Sequence, residues 1–241
     1  MNSSATSFRH AYDHLVRKIA SGDLPAGAVL SEAPLAAEIG VSRTPIREAI
    51  GQLAAEGIVH KVAHRGTVVA EPTREDIIEL YELREALETY AVIRATRRGI
   101  PPSELAVLSQ LVEEVANVRE ALLASGLETL SGELLQRFLA ADLRFHSSLL
   151  QASGNRRMSK VFGGTRLLIR IFTMRRQWHT ANLLEAVYGF HRGILDAVAR
   201  GDEPSASRLL GEHIQSSLKE RLVEYEAAWR AAEQSNHLGG L

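Results

Sequence analysis

Gly40-Val41-Ser42-Arg43-Thr44-Pro45-Ile46-Arg47-Glu48-Ala49-Ile50 is the stretch of this chain that decides its fold. Gly40 supplies the positive φ that ends a helix sharply. Ser42 or Thr44 caps the next helix, and Pro45 fits only its first turn, where a missing N–H loses no partner. That start turns Arg43, Thr44 and Arg47 outward, and Ile46, Ile50 and Leu53 toward a core. An exposed helix N-terminus bearing hydroxyls and guanidiniums suits a DNA major groove. Arginine pairs bidentately with guanine, and the helix end favours phosphate.

The flanks extend the pattern. Leu35, Ala36 and Ile39 form a short apolar helix after Pro34, so helix, turn and helix follow in order. Residues 57–62 and 67–70 read as two strands around Ala63-His64-Arg65-Gly66. That hairpin is a wing with a basic tip at Arg65 and a glycine, Gly66, that lets backbone approach DNA closely. An ordinary α+β domain with a few surface arginines is the competing reading; the correctly placed wing favours DNA binding.

The 241 residues suffice for one large or two modest domains. The formal net charge is −1, so no global field draws nucleic acid to the chain. Residues 1–72 do not form a basic domain either, because their seven Lys and Arg are balanced by seven Asp and Glu. DNA affinity therefore has to come from local placement at the recognition helix and wing. The absence of cysteine excludes disulfides and thiolate metal sites. No apolar run approaches membrane-span length, and Met1–Ser7 has no secretory character, so a soluble cytoplasmic protein is expected.

From Thr73 onward a 3.6-residue period takes over. Helices are expected over about 73–98, 103–126, 129–153, 155–176, 182–200 and 204–232, with Gly and Pro at the joints. The fold class is thus mainly α: a winged helix-turn-helix followed by an antiparallel six-helix bundle. Four segments are expected: a disordered stretch 1–7, a DNA-binding domain 8–71, an all-helical effector-binding and dimerisation domain 73–232, and a flexible tail 233–241.

The bundle's inward stripes carry polar groups. Leu135, Leu139, Asp142, His146 and Leu149 share one helix face; Leu184, Val187, His191, Ile194 and Val198 share another; His213 follows Leu209 and Leu210. Burying such groups unpaired costs several kcal/mol. Hydrogen-bonded core histidines or a shared divalent cation could offset that penalty. Three imidazoles with a carboxylate one turn from one of them favour the cation, as helix bundles build metal sites from facing helices.

Residues 8–71 resemble the winged helix of the GntR family of bacterial transcription regulators. The resemblance rests on Ile19 to Gly27, Leu30-Ser31-Glu32, Leu35-Ala36, the Gly40–Ala49 run, Leu53, Glu56-Gly57 and Arg65-Gly66. It implies base or phosphate contacts with double-stranded DNA from Ser42, Arg43, Thr44, Arg47 and Gly66, beside the basic tip Arg65. Ala33 stands where many members have a DNA-contacting arginine. Residues 73–231 resemble the all-helical FCD effector domain of the family's FadR-like branch, in its six-helix subgroup. The marks there include Leu80 to Glu88, Asp142 to Leu149, Ser153-Gly154-Asn155, His191 to Ala197 and His213.

That second resemblance implies metal ligation by Asp142, His146, His191 and His213. The donor set suits zinc, nickel or manganese without choosing among them; zinc is the first expectation. It also implies a small carboxylic acid as effector, paired with an arginine; Arg84 is the first candidate and Arg144 a further one. Arg166 and Arg170 read as part of a solvated basic face. The implied protein is a ligand-responsive repressor acting as a homodimer on a palindromic operator. A purely structural metal is the alternative. An enzyme is the weaker one, because the inward stripes show no second carboxylate to serve as base and no phosphate-binding glycine loop appears.

Overall fold

The computed structural model describes residues 3–71, 73–173 and 179–238, with side-chain environments over 6–19, 21–71, 73–163, 165 and 179–230. The chain divides into two compact units, one built mainly from residues 1–73 and the other mainly from 74–163 and 176–241. Among the described residues no helix is long and apolar enough to cross a membrane.

The first unit runs α1 (Ser3–Ser21), β1 (Val29–Leu30), α2 (Glu32–Ile39), α3 (Arg43–Ala55), β2 (Val59–Val62) and β3 (Gly66–Val69). Ala11, Leu15 and Ile19 recur every four residues on α1 and are buried. They meet Leu35 and Ala36 of α2, Ile46, Ala49, Ile50 and Leu53 of α3, and Ile58, Val59 and Val69 beside the sheet. The strands form an antiparallel sheet of order β1-β3-β2, with Val29 opposite Val68 and Val62 opposite Gly66. The sequence reading contains β2 and β3 but not β1, since two residues are too few to show a period. Helix α1 starts at Ser3, inside the stretch expected to be disordered. Its polar first turn has no apolar stripe of its own and extends the amphipathic segment behind it.

Gly40 ends α2 with φ 74° and ψ 32°, and its N–H bonds the Ala36 carbonyl at 3.0 Å. The chain then turns within two residues into α3. At the wing, His64 (φ 63°) and Gly66 (φ 87°) both adopt positive φ to close the hairpin.

After residue 73 the chain forms α4 (Arg74–Arg98), α5 (Pro102–Ser125), α6 (Gly132–Ala152), α7 (Arg156–Thr173), α8 (Ala181–Ala199) and α9 (Glu203–Leu238), and the second unit takes in all of these but the part of α7 from Gly164 on. All six expected helices are present. The last one continues through residues 233–238, which the sequence reading assigns to a flexible tail. Local chemistry sets the ends. Asn155 Oδ1 accepts from the N–H groups of Arg157 and Met158 to cap α7. Thr180 Oγ1 accepts from Leu183 N–H at 3.3 Å to cap α8. Helix α4 packs on α9 and α6, α5 on α6 and α8, and α8 on α9, so α6, α8 and α9 turn their apolar stripes into one interior.

Because nothing lies within 4 Å of a Cβ built on Gly40, a methyl group there meets only backbone strain. Gly40→Ala is expected to destabilise the winged helix by about 1–2 kcal/mol, measured by denaturant unfolding. An unchanged midpoint would contradict the assigned turn geometry.

Candidate functional site

The first unit presents a polar helix end. Pro45, Ile46, Ala49 and Ile50 of α3 are buried, while Ser42, Arg43, Thr44 and Arg47 are exposed. Ser42 stands at the N-cap in extended conformation, and its hydroxyl makes no cap hydrogen bond. That leaves the oxygen and the helix's first N–H groups facing outward. Arg47 forks onto Glu32: Nε reaches Oε1 at 3.0 Å and Nη2 reaches Oε2 at 2.7 Å. The hydrogen bond from Arg47 holds the Glu32 carboxyl below its usual range. Sequence reasoning missed this pairing, because fifteen residues separate the partners. Arg65 and Gly66 lie exposed at the wing tip.

The second unit brings together all four of the residues expected to ligate a metal. One ligand atom from each of Asp142, His146, His191 and His213 lies within 4.8 Å of the others. The three Nε2 atoms face one another: His191 to His213 at 3.2 Å, and His213 to His146 at 3.3 Å. Asp142 Oδ1 is 3.5 Å from His191 Nε2 and 3.8 Å from His146 Nε2. Ligand atoms about 2.0–2.1 Å from a tetrahedral ion lie roughly 3.3 Å apart, so the spacing fits a shared cation. Three mutually facing imidazole nitrogens cannot satisfy one another by hydrogen bonding alone, since at most one proton sits between any two. The donors present therefore fit a divalent metal.

The histidines are almost inaccessible, whereas the Asp142 side chain is 27% exposed. Burial, reinforced by the neighbouring imidazoles and by Arg84, pushes His191 and His213 well below the ordinary imidazole range. The His191 ring stacks on Phe145 with centroids 4.0 Å apart, and its Nδ1 has no hydrogen-bond partner.

One expectation is overturned here. Asp142 is not the only inward carboxylate: Glu88 on α4 is 2% exposed and contacts His146 Nδ1 through Oε2. Its Oε1 accepts from Arg84 Nε at 2.9 Å, and Arg84 is itself buried beneath the Tyr81 ring. Burial alone would raise the Glu88 pKa; His146 and Arg84 outweigh it and bring it down to about 2. The signal was legible, because Ile77, Tyr81, Arg84, Glu88, Val92 and Ala95 share one buried stripe.

Arg84 therefore lies near the cluster, but with Nε committed to Glu88. Arg144 does not: two residues from Asp142 and from His146, it projects from the opposite, exposed side of α6. The side chains of Arg166 and Arg170 lie outside the described residues.

Comparison with known proteins gives the family of both parts of the chain. Residues 8–69 match the family described as bacterial regulatory proteins, gntR family, and residues 79–216 match the FCD domain. A probable D-xylose utilization operon transcriptional repressor of Paenarthrobacter nicotinovorans is 32% identical over 86% of this chain and 84% of its own length. The gluconate operon transcriptional repressor of Bacillus subtilis is 29% identical over 72% of this chain and 66% of its own. The structure of E. coli McbR/YncC superposes with a TM-score of 0.76, covering 93% of this chain and all of that one. At 21% identity that likeness concerns the fold alone.

The depressed imidazoles give a signed pH dependence. Folded His191 and His213 stay neutral where unfolded histidine, with pKa near 6.5, takes up a proton. Chelator-treated protein should thus be most stable above pH ~6.5 and lose up to about 1.4 kcal/mol per pH unit per histidine below it. Urea unfolding between pH 7.5 and 5.5 measures this. A His213→Gln variant should show a shallower slope, and a flat wild-type profile would contradict the buried neutral state.

Proposed function

We infer that this chain, which belongs to the GntR family of bacterial regulatory proteins and is a DNA-binding transcription regulator, not an enzyme, is a ligand-responsive repressor. It binds a palindromic operator in the cytoplasm as a homodimer, since a two-fold protein reads two-fold sites through successive major grooves. Ser42, Arg43, Thr44 and Arg47 of α3 approach the bases and phosphates, and Arg65 and Gly66 of the wing approach the flanking backbone. The control site is the cluster in the helical unit.

The convergence of three Nε2 atoms and the Asp142 carboxylate on one point is the observation that carries this reading. Asp142, His146, His191 and His213 would hold a divalent metal, with zinc first and nickel or manganese as alternatives. A metal there would supply a Lewis-acidic anchor for the carboxylate of a small organic acid. Asp142 is the partly exposed member of the set, so a ligand can reach the cluster from its side. The N–H groups of Arg84 not given to Glu88 would pair with the acid's charge. Gluconate, in the name of one relative's operon, belongs to this chemical class. The acid shifts operator binding only insofar as it binds one arrangement of the regulator better than the other.

Two variants and one ligand screen test the reading. Arg43→Ala should weaken operator binding by roughly 5- to 150-fold, the 1–3 kcal/mol expected for a bidentate base contact, with metal content unchanged. His146→Ala should lose metal and thermal stability without direct loss of DNA contacts. Fluorescence anisotropy on an operator fragment and elemental analysis read both. Small hydroxy acids should raise the Tm of the metal-loaded protein and alter its operator affinity. If acids change neither, the metal is structural; if His146→Ala retains its metal, the ligand assignment is wrong.

A further inference from the structure

The fourth helix of the cluster contributes no ligand atom, yet it places a charge pair against one. We propose that Glu88 is the positioning residue of this centre: its carboxylate fixes His146 in the tautomer whose Nε2 lone pair faces the cluster, and Arg84 holds that carboxylate in place. The proposal rests on the metal reading above and adds a residue to it.

The argument is one of proton inventory. An ionised carboxylate can only accept hydrogen bonds. Glu88 Oε2 contacts His146 Nδ1, so the proton of a neutral His146 sits on Nδ1 and Nε2 is left as an acceptor. That same Nε2 stands 3.3 Å from His213 Nε2 and 3.8 Å from Asp142 Oδ1. The imidazole thus meets an incoming cation with its donor already aimed, and the anionic partner behind it increases its basicity.

Arg84 completes the arrangement. It sits one turn before Glu88 on α4, donates Nε–H to Oε1 at 2.9 Å, and shares the same burial. A lone carboxylate at 2% exposure would be strongly disfavoured, and the guanidinium offsets that while leaving Oε2 to His146. The neighbouring ligand shows the contrast. His191 has no acceptor on Nδ1 and is held by stacking on Phe145. Ring orientation is therefore fixed for both histidines, whereas a carboxylate contact on Nδ1 is present at His146 and not at His191.

Two measurements on the full chain distinguish the outcomes. In metal-free wild-type protein labelled with 15N-histidine, long-range 1H–15N correlation should show His146 as the Nδ1–H tautomer; an Nε2–H tautomer overturns the proposal. Zinc affinity, measured by competition with a chromophoric chelator, should fall 10- to 100-fold in Glu88→Gln. The double variant Arg84→Met/Glu88→Gln removes both buried charges together and should show the same loss. Wild-type affinity in a folded double variant, with only a lower Tm, would mean Glu88 is structural and would overturn the proposal alone. Failure of the wild-type chain to bind zinc, nickel or manganese would overturn the metal reading and the proposal with it. If Glu88→Gln does not fold, the double variant and the wild-type tautomer still separate a positioning role from a structural one.

Discussion

The helical unit depends on one unfavourable arrangement: three imidazole nitrogens turned toward each other in an apolar interior. At 3.2–3.3 Å one proton can bridge a pair of these nitrogens but not all three, and desolvation removes the water that would otherwise satisfy the remaining lone pair. Nothing in the apolar stripes requires this. Leu149, Ile194 and Ile214, on the same three helices, are buried aliphatics, so the interior is otherwise apolar. A helix bundle that keeps such a cluster is less stable empty than filled. Binding a cation then adds RT ln(1 + [M]/Kd) to folding, about 4 kcal/mol when free metal is a thousand times Kd. On the metal reading proposed above, occupancy and bundle integrity become one equilibrium, drawing on α6 and α8–α9, with α4 joined through Glu88.

The winged helix follows a different logic, in which weak interactions are an advantage. The Arg47–Glu32 fork is well formed, but Arg47 is 70% exposed, and exposed pairs are worth roughly 0–1 kcal/mol. Such a pair orients the guanidinium without binding it tightly. Exchanging Glu32 for a phosphate or a guanine edge therefore loses little. By contrast, the geometry that presents α3 is strongly fixed: Gly40 in the left-handed region, Pro45 in the first turn, and Ile46, Ala49 and Leu53 with no exposed surface. A rigid scaffold thus carries labile polar ends.

Helical periodicity made most of this legible. A stripe of core leucines with Asp142 and His146 in register can be read without coordinates, because a 3.6-residue repeat assigns each position to a face. The same repeat counts against Arg144, which is two positions from either ligand, and in favour of Glu88. Glu88 was missed for a chemical reason. Arg84, Glu85 and Glu88 make the segment look solvated, and only a partner on another helix shows why two charges lie inward. Long-range pairings such as Arg47–Glu32 and the two-residue strand β1 leave no periodic trace. His179 is wholly buried, its backbone carbonyl accepting from Leu130 N–H at 2.9 Å. It lies just before α8, outside the reach of any stripe.

Charge balance links these observations to function. With a net charge of −1 and equal acidic and basic counts in residues 1–72, the chain has little of the delocalised attraction that lets basic proteins coat DNA. Each phosphate neutralised by Lys or Arg steepens the salt dependence, and each such contact helps every sequence equally. With the contacts proposed for Arg43, Arg47 and Arg65, non-specific affinity is small, so a larger share of binding would come from base edges. That sharing favours control by a small ligand. Allosteric coupling is typically only 1–3 kcal/mol. Such a term can switch occupancy of a site held by a few specific contacts, whereas it would be submerged beneath a strong generic attraction to the DNA backbone.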